Sequence, residues 1–223
     1  EASAALEDQE GTGEDQNENE DKELPRDGGS WERAITDLQK AINMAYQNGG
    51  GEVWVKAGSY SPQTSPWSPE TEDSRRYHFA LRNNVSVYGG FNGNETLREE
   101  RDPETNPSVL QGEGQYHVIY HPSENSVNAR AVLDGFYIRG GRADFQYDSD
   151  NDGISNEPGD DLDNLNAASF PHGFGGGILL ISSNPTIRNC VLEDNYAAVA
   201  GGGMTVFGGV APMILDHCTV RGN

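Results

Sequence analysis

The chain has 223 residues, with 36 Asp and Glu against 15 Lys and Arg and a net charge of −21. So acidic a balance argues against nucleic acid and anionic membrane surfaces, which need Lys/Arg stripes, and suits a secreted or surface protein that meets divalent cations. No apolar run approaches the ~18 residues needed to span a bilayer, and 28 glycines favour turns over helices. At this length the chain is one domain of ordinary size, or one domain plus a tail. An opening at Glu1 rather than Met fits an extracellular or cell-surface chain whose signal peptide has been removed, or a fragment. Residues 1–29 hold eleven acids and two bases with few apolar residues, the composition of a disordered tail that a partner would have to order.

"SWERAITDLQKAINMAYQNGGG" predicts one amphipathic helix over 30–48. Ser30 is a suitable N-cap, Trp31, Ile35, Leu38, Ile42 and Ala45 form a stripe, and Asn48–Gly51 end it. Short β-rich pieces follow over 49–223: "GEVWVKAGSY", "YHFALRNNVSVYGGF", "YHVIYH", "AVLDGFYIRGG", "GGGILLIS", "PTIRNCVLEDN", "GGGMTVFGG" and "PMILDHCTVRGN". One early helix followed by short strands and glycine turns is an all-β pattern.

The last pieces are self-similar. "GGGILLISSNPTIRNCVLEDN" (175–195) and "GGGMTVFGGVAPMILDHCTVRGN" (201–223) match in order and chemistry, with glycine triplets 26 residues apart and cysteines 28 apart. "AVLDGFYIRGG" (131–141) matches the second half of each unit. Such a period in a Gly/Asn-rich chain means a solenoid. Alignment of the units gives three apolar columns, Leu133–Ile187–Leu215, Phe136–Cys190–Cys218 and Ile138–Leu192–Val220. Two outward columns alternate in sign, Asp134–Arg188–Asp216 and Arg139–Glu193–Arg221. Stacked parallel strands place such residues ~4.8 Å apart, where opposite charges attract. Gly141, Asn195 and Asn223 close the units, and asparagines at a repeated turn can stack and share amide hydrogen bonds. A leucine-rich repeat, the main rival, needs a regular Leu spacing that is absent. The expected architecture is a right-handed parallel β-helix with the 30–48 helix covering its first coil.

"GEVWVKAGSY", "VSVYGGFNGNETLREERDPETNPSVLQGEG", "AVLDGFYIRGG", "GGGI…NCVLEDN" and "GGGM…HCTVRGN" together resemble bacterial surface proteins with right-handed parallel β-helix repeats, akin to the polymorphic outer-membrane proteins. The resemblance covers residues 30–223. It implies the fold, and a role as adhesin, surface-layer part or glycan-active protein. This chain departs from the pattern where Cys and Phe alternate in one column.

Residues 142–174 interrupt the period with an acidic insertion: Phe136 to Cys190 spans 54 residues where one coil would take ~27. Within it, Asp148, Asp150 and Asp152 followed by Gly153 form a D-x-D-x-D-G start whose alternating carboxylates converge in a tight turn. Ile154 would add a backbone carbonyl, Asn156 the ninth position, and Asp160 or Asp161 would have to replace the bidentate acid, because Gly159 stands at position twelve. The expected ligand is a structural Ca²⁺; the bland alternative is a solvated acidic loop.

Catalysis is the weaker reading. In a calcium-assisted lyase Asp216 could help hold the metal and Arg221 act as base, but both have opposite-charge column partners. His217 and Cys218 are neighbours in a strand and face opposite ways. Cys190 and Cys218 lie within disulfide range on adjacent coils, although in-register neighbours seldom have suitable Cβ vectors, so a buried thiol ladder is favoured over a bond. Trp54, Tyr60, Trp67, Tyr77 and Tyr88 would suit a glycan surface, but core packing and loop anchoring explain them as well. The last coil leaves Leu215, Cys218, Val220 and Asn223 at an open end, which soluble solenoids cover. Either further chain covers it, or a homo-oligomer or filament does, joined head to tail through this end and the N-terminal region. The leading expectation is therefore a non-catalytic structural or adhesive surface protein; a polysaccharide-active enzyme or glycan-binding module is the alternative.

Overall fold

In a computed structural model of the chain, residues 26–144, 171–209 and 211–223 are described. The six residues expected to bind calcium (Asp148, Asp150, Asp152, Ile154, Asn156 and Asp160) lie outside them, as does most of the acidic tail.

The helix, α1, spans Leu38–Gln47, eight residues later than its predicted start at Ser30. Asp37 is the N-cap: its carboxylate accepts the Lys40 amide at 3.0 Å. Residues 26–37 instead turn back, with Gly28 N–H donating to Arg33 C=O at 2.9 Å. What pulls them off the helix is Trp31, whose indole N–H donates to the Glu95 carbonyl at 3.0 Å and whose ring lies 5.5 Å from Phe91. Leu38 and Ile42 of α1 are buried. Buried Gln39 exchanges two hydrogen bonds with the Ala80 backbone, at 2.7 and 3.1 Å, and so docks the helix as a strand residue would.

Short strands make up the rest: β1 Gly51–Lys56, β2 Gly58–Tyr60, β3 Val85–Phe91, β4 Ser108–Gln111, β5 Ile119–His121, β6 Val132–Asp134, β7 Phe136–Arg139, β8 Arg142–Ala143, β9 Ile178–Ile181, β10 Thr186–Arg188, β11 Val191–Glu193, β12 Tyr196–Ala197, β13 Met204–Phe207, β14 Ile214–Asp216 and β15 Thr219–Arg221. They form parallel sheets in the orders β1-β3-β6-β10-β14, β2-β4-β7-β11-β15, β5-β9-β13 and β8-β12. From β6 onward the chain visits these sheets in one fixed sequence and then repeats it.

The registers reproduce the predicted columns. Val53, Val87, Leu133, Ile187 and Leu215 pair in succession, as do Tyr60, Leu110, Ile138, Leu192 and Val220. Their middle members are fully buried and belong to one core with Phe136 and Cys190. The last members differ: Leu215 is 45% exposed and Val220 53%.

Two bends join consecutive strands. Gly135, Asn189 and His217 (φ 83°, 49° and 50°) occupy one, and Gly140, Asp194 and Gly222 (φ 78°, 54° and 61°) the next. This left-handed region admits Gly and, among other residues, favours Asn, Asp and His. The bend means that strand alternation does not govern 217–218, yet His217 does face solvent while Cys218 turns inward. Glycine also closes the units by close approach: a Cβ on Gly177 would overlap the Gly203 carbonyl, and one on Gly141 that of Gly176.

Candidate functional site

Of the two charge columns, one pairs as expected. Glu193 accepts Arg221 at 2.7 Å and lies 3.9 Å from Arg139. Arg221 is thus held by a carboxylate and is not a free base. The other column keeps its register but not its pairing. Asp134, 6% exposed, is taken by Arg101 at 2.7 Å and by the Asn189 amide at 2.8 Å, and Asp216 binds its neighbour His217 at 2.7 Å. Arg101 comes from the loop after β3, outside the repeat, and its guanidinium also donates to the Gly89 and Asp134 carbonyls at 3.0 and 3.1 Å. Arg188 is left exposed, with no ion pair among the described residues.

This exchange of partners shapes a groove of about 940 Å³ along the Gly135–Asn189–His217 bend. One wall carries Tyr88, Asp134 and Arg188 on β3, β6 and β10; the other carries Tyr137, Val191 and Thr219 on β7, β11 and β15. The 98–104 loop overhangs one end, where the guanidinium carbons of Arg98 and Arg101 lie 5.0 and 5.1 Å from the Tyr88 ring centroid. Arg98 is also tied to Glu52 and Glu99, at 2.7 and 3.0 Å.

The other predicted residues fall as follows. Trp54 stacks on Phe91 at 4.8 Å, and the Trp67 indole donates to Tyr120 C=O at 3.0 Å, so both are anchors. The Tyr60 hydroxyl donates to Lys56 C=O at 2.9 Å, Tyr77 is half-buried, and Tyr88 alone of the five lines the groove. Leu215, Cys218, Val220 and Asn223 come together at the β14–β15 edge. Asn223 completes the expected ladder: its Oδ1 accepts the Asn195 side-chain amide at 2.8 Å, Asn195 donates to Ile138 C=O at 3.0 Å, and Asn195 Oδ1 accepts the Gly141 amide at 3.1 Å. Cys190 and Cys218 are free thiols. Burial raises the Cys190 pKa; a hydrogen bond from Cys190 brings Cys218 down to about 7.

A second constellation was not anticipated. Four of the five histidines (His78, His117, His121 and His172) gather in the space beside β5 and β9 with Trp67, Tyr116 and Tyr120. His121 Nδ1 sits 3.0 Å from the Asn125 carbonyl, which can only accept, so Nε2 accepts the Leu81 amide at 2.9 Å. By the same reasoning His117 donates to Gly175 C=O at 3.0 Å and accepts from His172 Nδ1 at 3.1 Å. His78 donates to Arg76 C=O at 2.8 Å, and its buried Nε2 has no hydrogen-bond partner among the described residues. Burial drives these rings toward the neutral form, lowering His78 and His117 to about 3 and His121 and His172 to about 4. "YHVIYH" held the one legible signal, two histidines four residues apart.

No group of three or more His, Cys, Asp or Glu among the described residues is arranged to hold a metal ion. No helix among them is long and apolar enough to cross a membrane. The chain matches no protein family, no curated protein and no solved structure.

Proposed function

We propose that the chain is a right-handed parallel β-helix serving as a non-catalytic structural or adhesive element at the cell surface, and that its exposed β14–β15 edge is a contact face for another copy. The reading is supported by the four parallel sheets, visited in one fixed order from β6 onward, and by the rule that crossovers between parallel strands are right-handed in about 98% of cases. The observation that carries the reading is the β14–β15 edge. Leu215 and Val220 stand 45% and 53% exposed in columns whose middle members are fully buried, and Asn223 continues the amide ladder beside them. An exposed apolar strand edge is a surface that a second strand edge can cover.

Extracellular placement and calcium binding at Asp148, Asp150, Asp152, Ile154, Asn156 and Asp160 belong to the same proposal. They are supported by the acidic balance and by the D-x-D-x-D-G spacing.

Sedimentation velocity tests the assembly. The 223-residue chain of 24.2 kDa should form concentration-dependent larger species, and Leu215→Glu with Val220→Glu should return it to monomer without altering its circular dichroism. A monodisperse monomer at every concentration would refute self-stacking.

A further inference from the structure

We propose that the groove beneath the 98–104 loop binds an uncharged polysaccharide, with Tyr137 as the stacking platform and Arg188 as the principal free hydrogen-bond donor. Three features of the groove point there. First, its length: it crosses the successive rungs of Tyr88, Asp134, Arg188 and the His217 bend, so at about 4.8 Å per strand it extends roughly 14 Å along the stack. It therefore presents the same kind of position at each rung, as a linear polymer of equal units requires.

Second, its charge. Arg98, Arg101 and Arg188 line it, and so do Glu99, Glu104 and Asp134, an even balance on a chain of net charge −21. Glu99 and Asp134 are engaged by Arg98 and Arg101. The even lining selects neither sign of polymer: a polyanion is repelled by the chain as a whole, and a polycation, though drawn to the chain, meets as many arginines as acids in the groove. Neutral hydroxyls pair well with fixed ion pairs and with the five N–H donors of an unengaged guanidinium.

Third, its surface. The Tyr88 ring is held by two guanidinium groups and acts as a fixed wall. Tyr137 is half-buried, and no ring or cation lies over its face among the described residues. Exposed Asn189, His217 and Thr219 add donors and acceptors around it. An aromatic face ringed by directional polar groups is the surface on which the C–H face of a pyranose packs while its hydroxyls bond sideways.

The groove rests on the parallel stacking of the strands and not on self-association through the β14–β15 edge, so the glycan proposal and the assembly reading can each fail alone. Affinity electrophoresis of the full chain in native gels containing laminarin, hydroxyethylcellulose or xylan tests it, with polygalacturonate as the charged comparison. Retardation by at least one of the three neutral polymers is expected. Tyr137→Ala and Arg188→Ala should each raise the dissociation constant about tenfold or more, and Tyr46→Ala, an exposed tyrosine on α1 outside the groove, should leave it unchanged. Arg188 is exposed and has no ion pair among the described residues, so its variant is expected to fold, with an unchanged circular dichroism spectrum as the check. Absence of retardation by all three polymers, retardation by polygalacturonate alone, or unaltered binding in both groove variants would overturn the proposal.

Discussion

At the scale of single residues, the molecule depends on polar groups whose hydrogen bonds have no substitute. Asn195 donates to Ile138 C=O and Glu193 C=O and accepts the Gly141 amide, all within one turn of the ladder. Asn195→Asp keeps the shape but sets an acceptor against two carbonyls. It should destabilise by about 2–4 kcal/mol in urea unfolding, more than Asn195→Ala does, because buried groups left without partners cost about 1–3 kcal/mol each. The histidine cluster has the same character. Each depressed histidine binds a proton in the unfolded state near the ordinary value of about 6.5 but in the folded state only near 3 or 4. The unfolded chain therefore binds more protons below about pH 6.5, and stability falls as pH drops through that point toward 4. Arg75, Arg76 and Arg82, which press on these rings, oppose added positive charge. Unfolding free energy measured from pH 7.5 to 4.5 should decline, and His121→Asn should flatten the decline by up to one proton. A slope unchanged in that variant would show that His121 titrates normally. The ladder was legible in the sequence because Asn195 and Asn223 recur at one place in the unit. The cluster was not, because its members come from positions 78 to 172 with no shared period.

At the scale of elements, sequence alone located the stacked strands well and the helix start poorly, and one physical cause explains both. The columns through Leu133, Ile187 and Leu215 were readable because each unit states the same inward pattern, and misregister by one residue would expose all of it. Ser30 and Asp37 are equally good caps in isolation; the choice was made by Trp31, whose partners Glu95 and Phe91 lie some sixty residues away. The groove escaped notice for a similar reason, since Arg98 and Arg101 belong to a loop outside the repeat, and Arg101 took the carboxylate that the charge column had assigned to Arg188. Arg101→Ala strands a buried carboxylate and should cost about 3–5 kcal/mol. Arg221→Ala breaks an exposed, solvent-screened pair and should cost far less. Equal losses in chemical denaturation would contradict this account of the loop as a docked wall.

At the scale of the whole molecule, short strands in parallel sheets gain stability from their nearest neighbours, and the charge summed over the chain acts against them. A chain of net charge −21 repels itself, and the proposed calcium would offset part of that. Calorimetric titration with CaCl₂ at millimolar concentration should show uptake that Asp148→Ala and Asp152→Ala abolish; no uptake in the parent chain would remove calcium from the account. The winding itself is open to direct measurement by methyl NOE spectroscopy on Ile/Leu/Val-labelled protein. Leu133, Ile187 and Leu215 are successive partners, about 4.8 Å apart per step. The account predicts cross-peaks from Ile187 to both leucines and a far weaker one, or none, between the leucines. Ile187 methyls without contact to either leucine would contradict it.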